Sequence, residues 1–174
     1  MDAVSALAEQ WESTRWYFET TAEGISAEQL YWVPPGTANS LLTTYVHTVY
    51  ETDEFVHGLF QGKDLLTAGV WAGKTGVSQP LPPDRTTWRD WTRAVGLDQP
   101  GLKAYTAAVF DAAGRYIGGL KPEDLDRKLD LSAMGLGQQS LNWALYNLVI
   151  GHVQSHTGDI SALKGLQGLK GFPF

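Results

Sequence analysis

Two of the four histidines, His152 and His156, lie four residues apart in a segment whose apolar residues recur at helical spacing. On an α-helix, four residues correspond to about 6 Å of rise and about 40° of rotation, so both imidazoles project from one face. Such a pair needs only one or two further ligands to hold zinc, nickel, copper or iron. The same spacing also fits a solvated helix face or two hydrogen-bonded, half-buried imidazoles, so the pair alone leaves these interpretations open.

A third histidine, His47, lies among apolar residues in a run that contains no proline and one glycine, from Leu41 to Phe60. A lone histidine on an inward face is usually a hydrogen-bonded core residue, but here it is also the obvious third ligand. The predicted site is therefore asymmetric, with one ligand from the second helix and two from the last. His57 lies ten residues after His47 and about 80° around the helix, so we place it outside the site.

Two acidic residues are spaced to support these histidines. Glu51 follows His47 by four residues and could be a fourth ligand, a general base or an exposed acid with intrahelical contacts. It is the one weak candidate for a catalytic residue. Asp159, about one turn after His156, could orient that imidazole as a hydrogen-bond acceptor or could be solvated.

Apolar periodicity predicts four long helices and no strand, which indicates an all-α four-helix bundle. The helices are expected at about residues 3–21, 40–61, 100–120 and 140–165. Short helical turns are expected near residues 25–30 with Ser26 as a cap, after Thr86 or Thr87 as a cap, and near residues 121–125. Asn39 or Ser40 is expected to cap the second long helix, and Ser140 the last.

A long connection rich in Gly, Pro, Ser and Thr separates helices two and three, at about residues 62–84. Long loops in compact domains are often functional, so we expect this one to roof a pocket lined by some of the seven tryptophans. Most of the tryptophans are expected to fill the core. A glycine-rich tail follows the last helix, at about residues 165–174.

The 174 residues fit a single helical domain spanning positions 1–174. The absence of cysteine excludes disulfides and thiolate ligands, so a metal must be held by nitrogen and oxygen, and any catalytic thiol must come from outside the chain. A net charge of -6 without a Lys/Arg cluster disfavours nucleic acid as a partner. Without a secretion signal or an apolar run of membrane-spanning length, we expect no membrane contact and a cytoplasmic protein.

Two motifs resemble those of DinB-like proteins of the DinB/YfiT superfamily. The first places Ser40 seven residues before His47, and the second is the pattern His152-x-x-x-His156-x-Gly158-Asp159-Ile160. The segment Glu28-Gln29-Leu30-Tyr31-Trp32-x-Pro34 also looks like the lead into the second helix in that family. The resemblance spans about residues 3–170.

The resemblance implies a four-helix bundle in which His47, His152 and His156 bind a divalent metal, with zinc or nickel expected and open positions left for water or substrate. It also implies a homodimer. Some similar proteins are thiol-dependent transferases or isomerases that use mycothiol, bacillithiol or glutathione with an electrophilic substrate, whereas others have no assigned activity.

Two classes of function therefore fit the sequence. The first is a metal-dependent enzyme, either a thiol S-transferase or isomerase that uses an external low-molecular-weight thiol, or a hydrolase. The second is a non-catalytic metal- or ligand-binding bundle, such as a stress-associated dimer with a structural ion. A structural ion would be fully coordinated by protein groups, whereas a catalytic one keeps an open position.

Overall fold

The computed structural model describes residues 2–174; Met1, which the predicted domain includes, lies outside the described residues. Seven α-helices occur within that range: α1 (Ala3–Thr21), α2 (Ala27–Tyr31), α3 (Leu41–Asp53), α4 (Trp88–Ala94), α5 (Gln99–Gly118), α6 (Leu141–Ala144) and α7 (Gly151–Leu166). Helices α1 and α3 each pack against both α5 and α7, so the four long helices form a bundle. The predicted all-α bundle is confirmed, with one small sheet added.

The two long helical segments that carry the three histidines each contain a π-helical turn. Helix α3 continues as a π-helical turn, Glu54–Leu59, and another π-helical turn, Leu145–Ile150, joins α6 to α7. With these turns included, the two helical segments span residues 41–59 and 141–166, close to the predicted 40–61 and 140–165. At Gly151 an added Cβ would lie 2.9 Å from the Tyr146 carbonyl oxygen, so glycine lets the second wide turn form beside His152.

Serine side chains begin three of the helices as predicted. Ser26 accepts a hydrogen bond from the Gln29 backbone N–H, and Ser40 and Ser140 each accept one from the backbone three residues later. Thr87 occupies the N-cap position of α4, one of the two predicted positions, but its side chain makes no capping hydrogen bond. Asp84 instead accepts from the Thr86 N–H and begins the 3₁₀ turn Arg85–Thr87 that leads into α4.

The prediction that the chain contains no strand is also wrong. Strands β1 (Lys128–Asp130) and β2 (Gln138–Ser140) pair antiparallel, with Leu129 opposite Gln139. Each strand has three mostly polar residues, too few for an alternating pattern to stand out in the sequence. The hairpin leads directly into α6, because the Leu141 N–H donates to the Arg127 carbonyl oxygen.

Aromatic side chains form much of the core between the helices. The rings of Trp11 and Phe18 meet the ring of Phe110 edge to face, at centroid distances of 5.3 and 5.2 Å. The Trp11 indole N–H donates to the Phe110 carbonyl oxygen, which satisfies its one polar atom. Among residues 2–174, no helix combines the length and the apolar character needed to cross a bilayer.

The connection between α3 and α4 is tied to the bundle at two places. The Asp53 carboxylate accepts hydrogen bonds from the Leu66 and Thr67 backbone N–H groups, at 3.2 and 3.4 Å. Further on, Gly76 lies so close to α5 that an added Cβ would be 2.0 Å from the Leu102 nitrogen. These contacts hold the long connection against α5 and the end of α3.

Candidate metal centre

The three histidines singled out from the sequence meet between α3 and α7. One ring nitrogen from each of His47, His152 and His156 lies within 4.8 Å of the corresponding atoms of the other two. The Nε2 atoms of His47 and His152 are 3.2 Å apart. The predicted asymmetry is therefore present, with one imidazole from α3 and two from α7.

This spacing fits a divalent ion. Metal–nitrogen bonds of about 2.0–2.1 Å in a tetrahedral site place neighbouring nitrogens about 3.3 Å apart. The observed 3.2 Å between the two Nε2 atoms matches that value, although two neutral imidazoles sharing a proton would lie as close. Within residues 2–174 no Cys, Asp or Glu joins the three histidines, so the cluster could hold a metal ion with three nitrogen ligands.

Burial keeps two of these imidazoles neutral. Removal from water, followed by the nearby His156 and Arg85, lowers the pKa of His47 to about 4. Burial, His156, His47 and Arg85 likewise lower the pKa of His152 to about 3. At neutral pH both side chains carry free lone pairs, as metal binding requires.

Carboxylates face the outer nitrogens of two of the rings. Asp159 Oδ2 lies 2.8 Å from His156 Nδ1, which is a hydrogen bond that directs Nε2 toward the cluster, as the sequence predicted for one role of Asp159. Glu51 Oε1 lies 3.6 Å from His47 Nδ1, beyond hydrogen-bond distance. The Nδ1 atom of His152 is buried without a hydrogen-bond partner among the described residues.

Glu51 is outside the cluster itself, so its predicted role as a fourth ligand is not supported by this geometry. Its remaining interpretations are a proton acceptor and a partner of His47. Burial and the neighbouring Glu54 raise the pKa of Glu51, whereas Arg85, 3.9 Å away, opposes that shift. A raised pKa makes a carboxylate a better proton acceptor.

A cleft of about 750 Å³ opens directly over the histidines. Besides the three histidines it is lined by Thr37, Ala38, Asn39, Thr44, Glu51, Phe55, Arg85, Trp88, Met134, Asn147, Leu148, Asp159, Ala162, Leu163 and Leu166. No residue of the connection 62–84 is among them, so the prediction that this loop roofs the pocket is wrong for the described chain. Leu81, Pro82 and Pro83 instead line a smaller adjoining cavity of about 380 Å³.

Sequence reasoning missed Arg85 as a residue of the site and did not single out Trp88 from the other tryptophans. Trp88 is buried, and its ring centroid lies 5.0 Å from that of His47. Its indole N–H donates to the Pro82 carbonyl oxygen, which fixes the ring. The one clue in the sequence is that Arg85 begins, and Trp88 follows, a short turn after Pro82 and Pro83. Nothing in the pattern indicated that this turn would reach α3.

Arg89 fixes another part of the cleft wall, the segment that contains Ala38. Its guanidinium donates hydrogen bonds to the carbonyl oxygens of Pro34, Gly36 and Ala38, at 2.8–3.1 Å. The segment between α2 and α3 is thereby held beside α4. This edge of the cleft is therefore fixed by hydrogen bonds between α4 and the segment before α3.

His57 lies away from the cluster, as predicted. Its Nδ1 atom is 2.7 Å from Asp53 Oδ1, but the approach lacks the alignment of a hydrogen bond. The same carboxylate accepts a 2.8 Å hydrogen bond from the Tyr105 hydroxyl. His57 therefore belongs to a separate buried group that anchors the long connection.

The fold and the site define a class: a four-helix bundle with a three-histidine cluster, open to a cleft, that could hold a metal ion. The chain belongs to the DinB superfamily, whose family model matches residues 10–160. The family resemblance noted in the sequence is therefore confirmed. Comparison with curated proteins gave no match.

A solved structure supports the same fold. The protein described as "the conserved protein of locus from Enterococcus faecalis" is similar to this chain with a TM-score of 0.77 and 18% sequence identity. The similarity covers 95% of this chain and 97% of that one. At this identity it supports the architecture alone.

Proposed function

We propose that this chain binds a divalent metal through the Nε2 atoms of His47, His152 and His156, and that it uses the site to join an external low-molecular-weight thiol to an electrophile. The observation that carries the proposal is the three-histidine cluster at the floor of a 750 Å³ cleft. Because no fourth protein ligand joins the cluster within residues 2–174, a small molecule can occupy the remaining coordination position.

An external thiol is favoured because the chain contains no cysteine. A bound divalent ion would lower the pKa of a thiol and make its sulfur nucleophilic at neutral pH. The sulfur then forms a C–S bond with the electrophile as the leaving group departs with its electron pair. The cleft is large enough to hold two small reactants side by side.

The chain's own residues orient the site and accept the proton. Asp159 holds the ring of His156, and Glu51 faces the outer nitrogen of His47. Glu51 also lines the cleft, and its raised pKa suits it to accept the proton that the thiol releases. In this proposal Glu51 is a proton acceptor and not a ligand.

The test is a conjugation assay with the zinc- or nickel-loaded protein, glutathione, mycothiol or bacillithiol, and a reactive electrophile such as monochlorobimane. We expect at least one thiol to be conjugated faster than in the absence of protein. Chelation of the metal and the substitution His47→Ala should each remove the acceleration. His57→Gln is the matched control, because this histidine lies outside the cluster, and it should retain activity.

A metal-loaded protein that conjugates none of the three thiols would contradict the transferase proposal and favour a non-catalytic metal-binding bundle. Metal-dependent turnover of an ester without any thiol would instead favour a hydrolase. The identity of the metal, the homodimer and the cytoplasmic location stay predictions.

A further inference from the structure

One cation at the mouth of the cleft, Arg85, keeps its hydrogen-bond donors unused within the described residues. Arg85 is the only Lys or Arg among the residues of the described chain that line the cleft. Its side chain is 70% exposed, and within residues 2–174 its guanidinium makes no hydrogen bond. Arg89, four residues later, uses its guanidinium to hold three backbone carbonyl groups. The two arginines therefore differ: Arg89 supports the wall, whereas the N–H donors of Arg85 are available to a ligand.

The position of Arg85 is nevertheless well defined. Its guanidinium carbon lies 5.4 Å from the centroid of the Trp88 ring, and that ring in turn contacts His47. Asp84 fixes the backbone of the turn by accepting hydrogen bonds from the Thr86 N–H and hydroxyl. The cation is thus held on an aromatic platform one ring away from the histidine cluster.

The nearby acidic groups leave room for an additional anion. Asp159 is hydrogen-bonded to His156, and Glu51 approaches the guanidinium only at 3.9 Å. A guanidinium presents five N–H donors and binds a carboxylate through two parallel hydrogen bonds. Neither acidic group of the cleft engages Arg85 in that way.

We propose that Arg85 is a specificity-determining residue that binds the carboxylate of a thiol whose sulfur occupies the metal site. This inference rests on the proposed metal site and names the chemistry of its ligand: a small thiol with a carboxylate a few bonds from the sulfur. The platform of Trp88 sets where the carboxylate lies, and the histidine cluster sets where the sulfur lies.

The test uses cobalt(II)-loaded protein and two probes of nearly equal size, 3-mercaptopropionate and its methyl ester. Binding of each is followed by the change in cobalt absorption, so no activity is required. We expect the wild-type protein to bind the acid roughly tenfold more tightly than the ester at low salt. The preference should decrease as ionic strength rises, because the guanidinium is exposed.

Arg85→Gln should reduce the preference to about one while leaving the cobalt spectrum of the thiol-free protein unchanged. Arg93→Gln is the matched control, because it removes the same charge from an exposed arginine whose one ion pair within residues 2–174 is with Asp90. This control should retain the wild-type preference.

The results separate the two claims. If the cobalt spectrum is unchanged, two outcomes would overturn the role of Arg85 alone. One is an acid preference that persists in Arg85→Gln, and the other is a preference that is lost equally in Arg93→Gln. No acid preference in the wild-type protein would do the same. Failure of the wild-type protein to bind cobalt would overturn the metal site and, with it, this inference.

Discussion

Helix α3 and the π-helical turn that continues it carry two histidine–carboxylate pairs. The two pairs have the same four-residue spacing but different environments. In the first, His47 and Glu51 face the cleft, and their nearest atoms are 3.6 Å apart. In the second, Asp53 and His57 lie under the long connection, with a 2.7 Å approach and the carboxylate 1% exposed. The first pair joins the histidine cluster, and the second does not.

The difference lies in what else each carboxylate contacts. Asp53 accepts hydrogen bonds from the Tyr105 hydroxyl and from two backbone N–H groups, so its acceptor capacity is used to hold the fold together. Within residues 2–174 the Glu51 carboxylate accepts no hydrogen bond, and it lines the open cleft. The four-residue spacing therefore does not distinguish the pair at the cleft from the pair that supports the fold. What distinguishes them is whether hydrogen bonds already occupy the carboxylate oxygens.

The largest expected effect is on the structural pair. Asp53→Ala leaves a buried tyrosine hydroxyl and two backbone N–H groups without their acceptor, so we expect about 3 kcal/mol lower free energy of unfolding. Denaturant unfolding measures this change. Asp64→Ala, on the exposed part of the same connection, should change stability by less than about 0.5 kcal/mol.

Metal stoichiometry of folded Asp53→Ala should equal that of the wild-type protein, because the carboxylate does not touch the cluster. Loss of metal without loss of stability would reverse the assignment of the two pairs.

A smaller effect per residue is expected from the neutral histidines of the cluster. The unfolded chain protonates them near pH 6.5, whereas the folded pKa values of His47 and His152 are about 4 and about 3. Between these values the unfolded state binds more protons, so the metal-free protein loses stability as the pH falls. From pH 7 to pH 5 we expect a loss of about 2 kcal/mol from each of the two groups.

The double variant His47→Gln/His152→Gln isolates this contribution from that of the carboxylates. Its unfolding free energy should change less over the same pH interval than that of the wild-type protein. An equal pH dependence in both proteins would show that the two imidazoles are not held neutral by the fold.

The smallest effect concerns the partner of His47. Glu51→Gln removes the charge that faces the outer nitrogen of His47, and we expect metal affinity to fall about tenfold. Competition with a chelator measures it. The same change at the exposed Glu54 should leave the affinity within about twofold of wild type, because Glu54 is not in the cleft. Equal losses in both variants would indicate a general charge effect and not a specific contact.

Much of this architecture follows from local sequence patterns. Helical periodicity placed the four long helices, and serine caps marked the start of two of them. The i, i+4 spacing placed His152 and His156 on one face. His47 could be paired with them because it lies inward on a separate long helix. These features depend on short-range geometry, which a sequence displays directly.

Some features that the sequence did not predict are too short to show a pattern, and others depend on packing between distant segments. The hairpin of β1 and β2 is too short to show a period. The turn at Arg85 is placed by long-range contacts, because the Trp88 ring packs against His47 and Arg89 donates to the Pro34 carbonyl oxygen. The same holds for Asp53, whose role is set by Tyr105, 52 residues away. Long-range partners of this kind leave no local signal.

The most direct test of the account is the metal content of the reconstituted protein beside that of His152→Ala and His57→Ala, measured by elemental analysis after removal of unbound metal. The account predicts about one divalent ion per chain in the wild-type protein and in His57→Ala, and almost none in His152→Ala. Full metal content in folded His152→Ala would contradict it.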